Sequence, residues 1–236
     1  MIAHLKNFIL DSLFPPLCLT CKKLLAPDEK KNVVCAACVA SVPLYDAMFC
    51  PICLRRIPHG NDHCHPQAKY VLAPAAHYGH ETVKKLIWQF KYENWLSAGA
   101  PLTHLMTSYL KNLPHTFTGY EVVPMPLHAS REWQRGFNQA TMLAAAIGTA
   151  FTLPIAANNL VRARETAIQA DQKDYAAREK NVQGAFHVLH PEEFAGKNII
   201  LVDDVTTSGA TLNEAVKALK ACGAKRIVAA VVARAR

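Results

Sequence analysis

The chain has 236 residues, 51% of them hydrophobic and 19% charged, with a formal net charge of +8 at pH 7. That composition excludes an intrinsically disordered chain, and the length suits one ordinary domain plus a smaller module. Residues 1–70 carry 8 basic and 5 acidic groups and residues 71–236 carry 18 and 13; so even an excess suits an anionic ligand, phosphate or nucleic acid, and equally suits a plain solvated surface.

The first fourteen residues are apolar but include Lys6 and Asp11. They lack a basic leader and a small-residue cleavage site, so they do not read as a signal peptide. Ile2, Leu5, Ile9 and Leu13 are spaced by three and four, as in a short amphipathic helix. No run reaches the ~18 uncharged apolar residues that cross a bilayer, so no membrane span is expected.

Seven of the eight cysteines precede residue 65. Their CxxC spacing reads as metal ligands in a reducing, cytoplasmic setting rather than as disulfides. Cys18-x2-Cys21 and Cys35-x2-Cys38, thirteen residues apart, form a zinc-ribbon spacing in which two knuckles complete one tetrahedron. Cys50-x2-Cys53 and Cys64 repeat it, but Gln67 stands where a fourth cysteine is expected. His65 is the favoured fourth ligand, with His63, His59 or a degraded site as alternatives, since imidazole is an ordinary zinc ligand. A four-ligand site is closed, so its role is structural, and the metal supplies folding energy to a module too small for its own core. The eighth cysteine, Cys222, falls late in an apolar helix.

From about residue 69 the texture changes to alternating apolar runs and helical periods, which predicts a zinc module over 1–68 and an α/β domain over 69–236. Residues 70–78 read as a strand. Residues 81–92 read as a helix with Val83, Leu86, Ile87 and Phe90 on one face. Residues 94–113 are helical in part, with Pro101 as an interruption. Strands at 121–126, 160–164, 198–205 and 226–233 alternate with helices at 138–151 and 211–221.

The strongest chemical signal lies at 199–211. An apolar strand ends in Asp203 and Asp204, then Val205-Thr206-Thr207-Ser208-Gly209-Ala210-Thr211 opens a helix. Small residues let backbone N–H groups converge on an anion, Gly209 permits the turn, and the helix start adds partial positive charge. Two acids beside such a cradle would repel a bare phosphate. They suit a ligand with vicinal hydroxyls next to its phosphate, or a bound Mg²⁺. The pattern is neither a Walker A loop nor GxGxxG. Arg131 and Arg135 follow the strand ending at Pro126, either as a pyrophosphate grip or as an ordinary basic loop. Trp133 and Phe137, interleaved with them, suit stacking on a single strand or burial in the core. Residues 162–181 are polar and unpatterned, like a lid or a surface loop.

The run LVDDVTTSGATL resembles the PRPP-binding signature of type I phosphoribosyltransferases. With Pro124 and Pro126, RxxxRGFNQ at 131–139, RxxxTxxQ at 162–169 and RxxN at 178–181, the chain resembles the ComF family over almost its whole length. The resemblance implies a type I phosphoribosyltransferase-like fold, a largely parallel sheet flanked by helices, preceded by a double zinc ribbon. It implies that Asp203 and Asp204 take the ribose hydroxyls directly or through Mg²⁺, and that residues 205–211 hold the 5-phosphate. Arg131 or the loop after Pro124 would face pyrophosphate, with Arg135 among the substrate-binding residues. Arg164, or else Arg162, would act from the lid with Thr166 and Gln169, and Lys91 falls where the family has a lysine. The family's association with uptake of transforming DNA leaves two readings open. One is a phosphoribosyltransferase of unknown acceptor. The other is a single-stranded DNA-binding accessory to uptake proteins with a regulatory or vestigial PRPP site.

Overall fold

A computed structural model describes residues 14–57, 64–93, 96–164 and 181–235. The N-terminal amphipathic segment, His59, His63, Thr166, Gln169 and Arg178 lie outside the described residues.

The strands are β1 (Met48–Phe49), β2 (Arg56–Ile57), β3 (Val71–His77), β4 (Tyr120–Pro124), β5 (Leu160–Arg162), β6 (Phe186–Val188), β7 (Asn198–Thr206) and β8 (Arg226–Arg234). Six of them form one sheet in the order β2-β1-β3-β8-β7-β4, and β5 and β6 form a separate antiparallel hairpin. The four long strands β3, β8, β7 and β4 run parallel. Ile199, Ile200, Leu201 and Val202 of β7 are all fully buried. A strand covered on both faces needs such an unbroken apolar run rather than alternation.

The helices are α1 (Ala36–Ala40), α2 (Glu81–Tyr92), α3 (Gly99–Asn112), α4 (Ala129–Arg135), α5 (Gln139–Phe151) and α6 (Ala210–Ala221). Leu86 and Phe90 of α2, Leu102 and Met106 of α3 and Leu143 and Ile147 of α5 fill one face of the sheet. Leu212, Val216 and Leu219 of α6 and Leu160 and Phe186 of the hairpin fill the other. Among the described residues no helix is long and apolar enough to cross a membrane.

Three features differ from the sequence expectation. Pro101 does not interrupt a helix: α3 starts at Gly99, so Pro101 sits in the first turn, where its missing N–H has no partner to lose. Residues 129–135 are a helix rather than a loop, capped by His128, whose side chain accepts from the Ser130 N–H, and closed by Gly136 at φ 74°. The sheet also extends into the cysteine-rich segment. β1 pairs with β2 and, through Phe49 and Leu72, with β3, all antiparallel. The first cysteine quartet packs on the α2 and α3 face through Cys18, Leu25 and Val34, while Phe49 next to the second quartet joins the α6 face.

Candidate phosphate and metal sites

β7 carries Asp203 and Asp204 and ends at Thr206, and α6 begins at Ala210 after Gly209 at φ 76°. The left-handed value is what glycine adopts without cost. A Cβ on Gly209 would come within 3.3 Å of the Tyr70 hydroxyl. The Ser208 Oγ accepts from the Ala210 N–H at 3.4 Å.

Asp204 is buried and its Oδ1 lies 2.8 Å from Lys91 Nζ, an ion pair with 17% and 8% of the lysine and aspartate side chains exposed. Lys91 lies in the last turn of α2, whose apolar stripe docks on the sheet and holds the ammonium over the strand end. The Asp203 Oδ1 accepts from the Asp204 N–H at 2.8 Å. Burial, then the neighbouring Asp204 charge, push the Asp203 carboxyl up to about 7, against the opposing fields of Lys91 and Arg162. Two acids side by side in low dielectric hold both charges poorly, so this pair favours a cation.

A cavity of about 340 Å³ opens over these acids, and Lys91, Arg131, Arg135 and Arg162 line it with Thr207 and Thr211. Arg162 comes from β5, with its guanidinium carbon 5.4 Å from the Phe186 ring centroid. Burial, then the like charge of Arg131, lower it to about 10. Arg164 is placed differently. Its Nη2 donates to the carbonyls of Asn181 at 3.0 Å and Gln183 at 2.7 Å, and it is not among the residues lining the cavity. β5 ends at Arg162, so Arg164 lies past the hairpin pairing and turns back onto the far strand's approach. Of the two lid arginines, Arg162 is the one beside the acids.

The loop is also split. Val205, Thr207 and Thr211 border the acid-lined cavity, while Thr206, Ser208 and Gly209 border a second one, with Thr207 common to both. The 135–139 run also holds the framework around the cavity. Arg135 lies 5.7 Å from the Tyr92 ring centroid and donates to Gln139 Oε1 at 3.0 Å. Buried Gln139 donates to the Phe90 carbonyl at 3.2 Å. Asn138 caps α5 through the Ala140 N–H and donates to the Met125 carbonyl at 3.1 Å. The two aromatics part company: Phe137 packs on Phe90 at 5.4 Å, and Trp133 is 89% exposed. Spacing of three or four residues could not separate them, because both fall in or beside a helix too short to show a face.

The cysteines gather into two quartets, Cys18, Cys21, Cys35 and Cys38, and Cys50, Cys53, Cys64 and His65, each with its ligand atoms within 4.8 Å of one another. The Cys21 and Cys35 sulfurs are 3.8 Å apart, the edge expected of a tetrahedron with Zn–S bonds near ~2.3 Å. In the second quartet His65 Nδ1 lies 3.4 Å from Cys50 Sγ and 3.1 Å from Cys64 Sγ, so the histidine offers a ring nitrogen where Gln67 offers none. Thiols so crowded compete for charge. Burial resists ionisation of Cys18, yet the N–H groups of Cys35, Cys21 and Thr20 outweigh it and bring the thiol down to about 6. Burial and Cys35 push Cys38 up to about 12, and Cys50 with burial does the same to Cys64. A divalent cation removes that conflict by taking all four ligands deprotonated.

The double zinc ribbon domain model matches residues 9–67 and the phosphoribosyl transferase domain model matches residues 139–236. Competence protein F of Haemophilus influenzae is 31% identical over 225 residues, covering 93% of this chain and 90% of that protein. The DNA utilization protein YhgH of Escherichia coli is 27% identical, over 90% of this chain and 94% of the relative. Competence protein ComFC of Bacillus subtilis is 24% identical, over 83% and 80%. With cysteine clusters of zinc-ribbon geometry, a largely parallel sheet and a relative 31% identical over nine-tenths of both chains, the chain belongs to the ComF family of competence proteins, which joins a double zinc ribbon to a phosphoribosyltransferase-like domain.

Proposed function

We propose that this chain binds PRPP as its magnesium complex in the cavity over Asp203 and Asp204. The observation that carries the reading is one cavity in which two adjacent acids face Lys91 and three arginines, at the start of a Thr/Ser/Gly loop that opens a 12-residue helix. In this reading the acids accept hydrogen bonds from the vicinal ribose hydroxyls. The N–H groups of residues 205–211 and the hydroxyls of Thr207 and Thr211, which line the acid-bearing cavity, hold the 5-phosphate at the positive end of α6. Lys91, Arg131, Arg135 and Arg162 face the pyrophosphate, where planar guanidinium groups suit paired phosphate oxygens. Arg162 takes the ligand-facing role, and Arg164 holds the carbonyls of Asn181 and Gln183 instead. Residues 69–236 are the ligand-binding unit and residues 1–68 the zinc module.

Bound Mg²⁺ supplies charge neutralisation for a departing pyrophosphate, and the donor set fits it. The carboxyl of Asp203, pushed up to about 7 by burial and by Asp204, gains most from a neighbouring cation. The chain's own residues contribute by holding the sugar rigidly and by placing fixed positive charge where the C1–oxygen bond weakens. No side-chain nucleophile is required. Isothermal titration of the zinc-loaded chain with Mg²⁺ and PRPP tests the reading. Saturable, magnesium-dependent heat is expected, and the double change Asp203→Asn with Asp204→Asn removes it while circular dichroism and zinc content stay constant. A wild-type chain that gives no heat sinks the assignment.

A second reading, binding of single-stranded DNA in the setting of DNA uptake, is favoured by the exposed Trp133 between Arg131 and Arg135. Trp88 and Tyr92, which line the acid-bearing cavity with Arg131 and Arg135, are about half exposed. Exposed rings stack on bases while arginines take the phosphates. Gel-shift affinity that falls steeply with salt and with Trp133→Ala supports it; an affinity indifferent to both excludes it.

A further inference from the structure

The phosphate loop has a second side. Thr206, Thr207, Ser208 and Gly209 border, with Asn213 of α6, a cavity of about 260 Å³ that neither Asp203 nor Asp204 lines. Ile52 and Leu54 of the second metal-binding turn close it, and Leu72 forms its apolar floor. Arg234, at the end of β8 and in register with Thr206, supplies its cation. The carboxyl ends of parallel strands are where such sheets present ligands.

The Arg234 guanidinium is held in one plane. It lies 4.0 Å over the Phe49 ring centroid and 4.9 Å from that of Tyr45, and its Nε donates to the Tyr45 hydroxyl at 3.4 Å. None of these contacts brings negative charge. Arg234 forms no ion pair among the described residues, and its buried Nη1 has no acceptor among them. A guanidinium in such surroundings gains strongly from an anion, because an unsatisfied buried donor retains its full desolvation penalty. The wall contains hydroxyls, an amide and this cation, and no carboxylate.

We propose that this cavity binds a small organic anion, a carboxylate or phosphate carried on an apolar body of about one ring. Arg234 pairs with the anionic head, the Thr206 and Ser208 hydroxyls and the Asn213 amide donate to it, and Ile52, Leu54 and Leu72 cover the ring. The volume is below the ~300–1,000 Å³ of drug-sized pockets, which sets the size limit. The inference does not rest on PRPP binding, because the two cavities share Thr207 alone.

Ligand-observed NMR titration of the zinc-loaded full chain, without PRPP, tests it with benzoate, phenyl phosphate and neutral benzamide. At least one anion binds saturably and benzamide binds about tenfold or more weakly, since the charge-assisted bonds are the strong ones; the tighter anion identifies the head group. Arg234→Met, which keeps the stem over Phe49, weakens the anion by about tenfold or more and leaves PRPP titration unchanged. If that variant does not fold, Asn213→Asp places a carboxylate in the same cavity near the start of α6 and weakens both anions. Equal affinity for benzamide, no anion binding to the wild type, or full anion affinity in either folded variant overturns the proposal. Loss of PRPP binding in Arg234→Met also overturns it, by assigning Arg234 to the sugar-phosphate site.

Discussion

Removing the Lys91 ammonium isolates the charge balance of the acid pair. The ammonium lies 2.8 Å from Asp204 with 17% and 8% of the two side chains exposed, and its field also offsets Asp203. Lys91→Met retains most of the apolar stem and withdraws the charge. Breaking a buried ion pair from one side costs about 3 kcal/mol, which in a chain of this size lowers the melting temperature by about 6–12 °C. The pH dependence has a definite sign. Asp203 is pushed up to about 7 in the folded chain from an ordinary value of 3.8, so the native state binds that proton more tightly than the unfolded chain does. The cost of holding both acids ionised is therefore present above pH ~7 and fades as pH falls towards ~4. Without Lys91 the proton is held more tightly still. The stability loss is thus largest near pH ~8 and smaller near pH ~5.5. Thermal unfolding of zinc-loaded wild type and variant in magnesium-free buffer at the two pH values measures it. An equal loss at both would mean that packing, not an unpaired acid, had been removed, and would refute the reasoning.

His65→Ala reduces zinc from two ions per chain to one by elemental analysis, because the second quartet loses its fourth ligand atom; two retained ions would show that another residue completes the site. Gly209→Ala forces a Cβ onto a backbone at φ 76° and to 3.3 Å from the Tyr70 hydroxyl, costing about 1 kcal/mol in denaturant unfolding and weakening sugar-phosphate binding. An unchanged midpoint would contradict the strain at that turn. Tyr109→Phe strands the Ala47 carbonyl, which now accepts from the buried Tyr109 hydroxyl at 2.8 Å, and lowers stability by about 1–2 kcal/mol; a neutral result would mean that the carbonyl finds another donor.

The main sheet and its long helices were legible because their signals are periodic. The stripe of Val83, Leu86, Ile87 and Phe90 coincides with Glu81–Tyr92, and the apolar run at 199–202 sits in Asn198–Thr206. The acids and the loop were legible from order and context. What escaped was short or borrowed. β1 and β2 have two residues each, too few to show any period, and their pairing depends on the cysteine cluster beside them. Helix α4 is capped by a histidine, outside the usual Ser, Thr, Asp and Asn signals. Arg162 and Arg164 are chemically alike in sequence, and only the end of the β5–β6 pairing decides which stays over the acids. The roles of Asn138 and Gln139 emerge from contacts with Met125 and Phe90, far away along the chain.

The pairing of β1 with β3 has a consequence for how the protein behaves in bulk. Tyr45 N–H bonds to the Ala75 carbonyl and Phe49 pairs with Leu72, so the cysteine-rich segment covers the outer side of β3. Cys50 follows Phe49 directly, and the same quartet ends at His65, six residues before Val71, with the Ala68 N–H donating to the His65 carbonyl at 3.0 Å. Strip the metal and the shield is freed, leaving an apolar parallel strand with its hydrogen-bonding groups bare. Such an edge recruits other chains. Chelation of zinc from this quartet is therefore expected to raise light scattering before circular dichroism records any loss of the parallel strands.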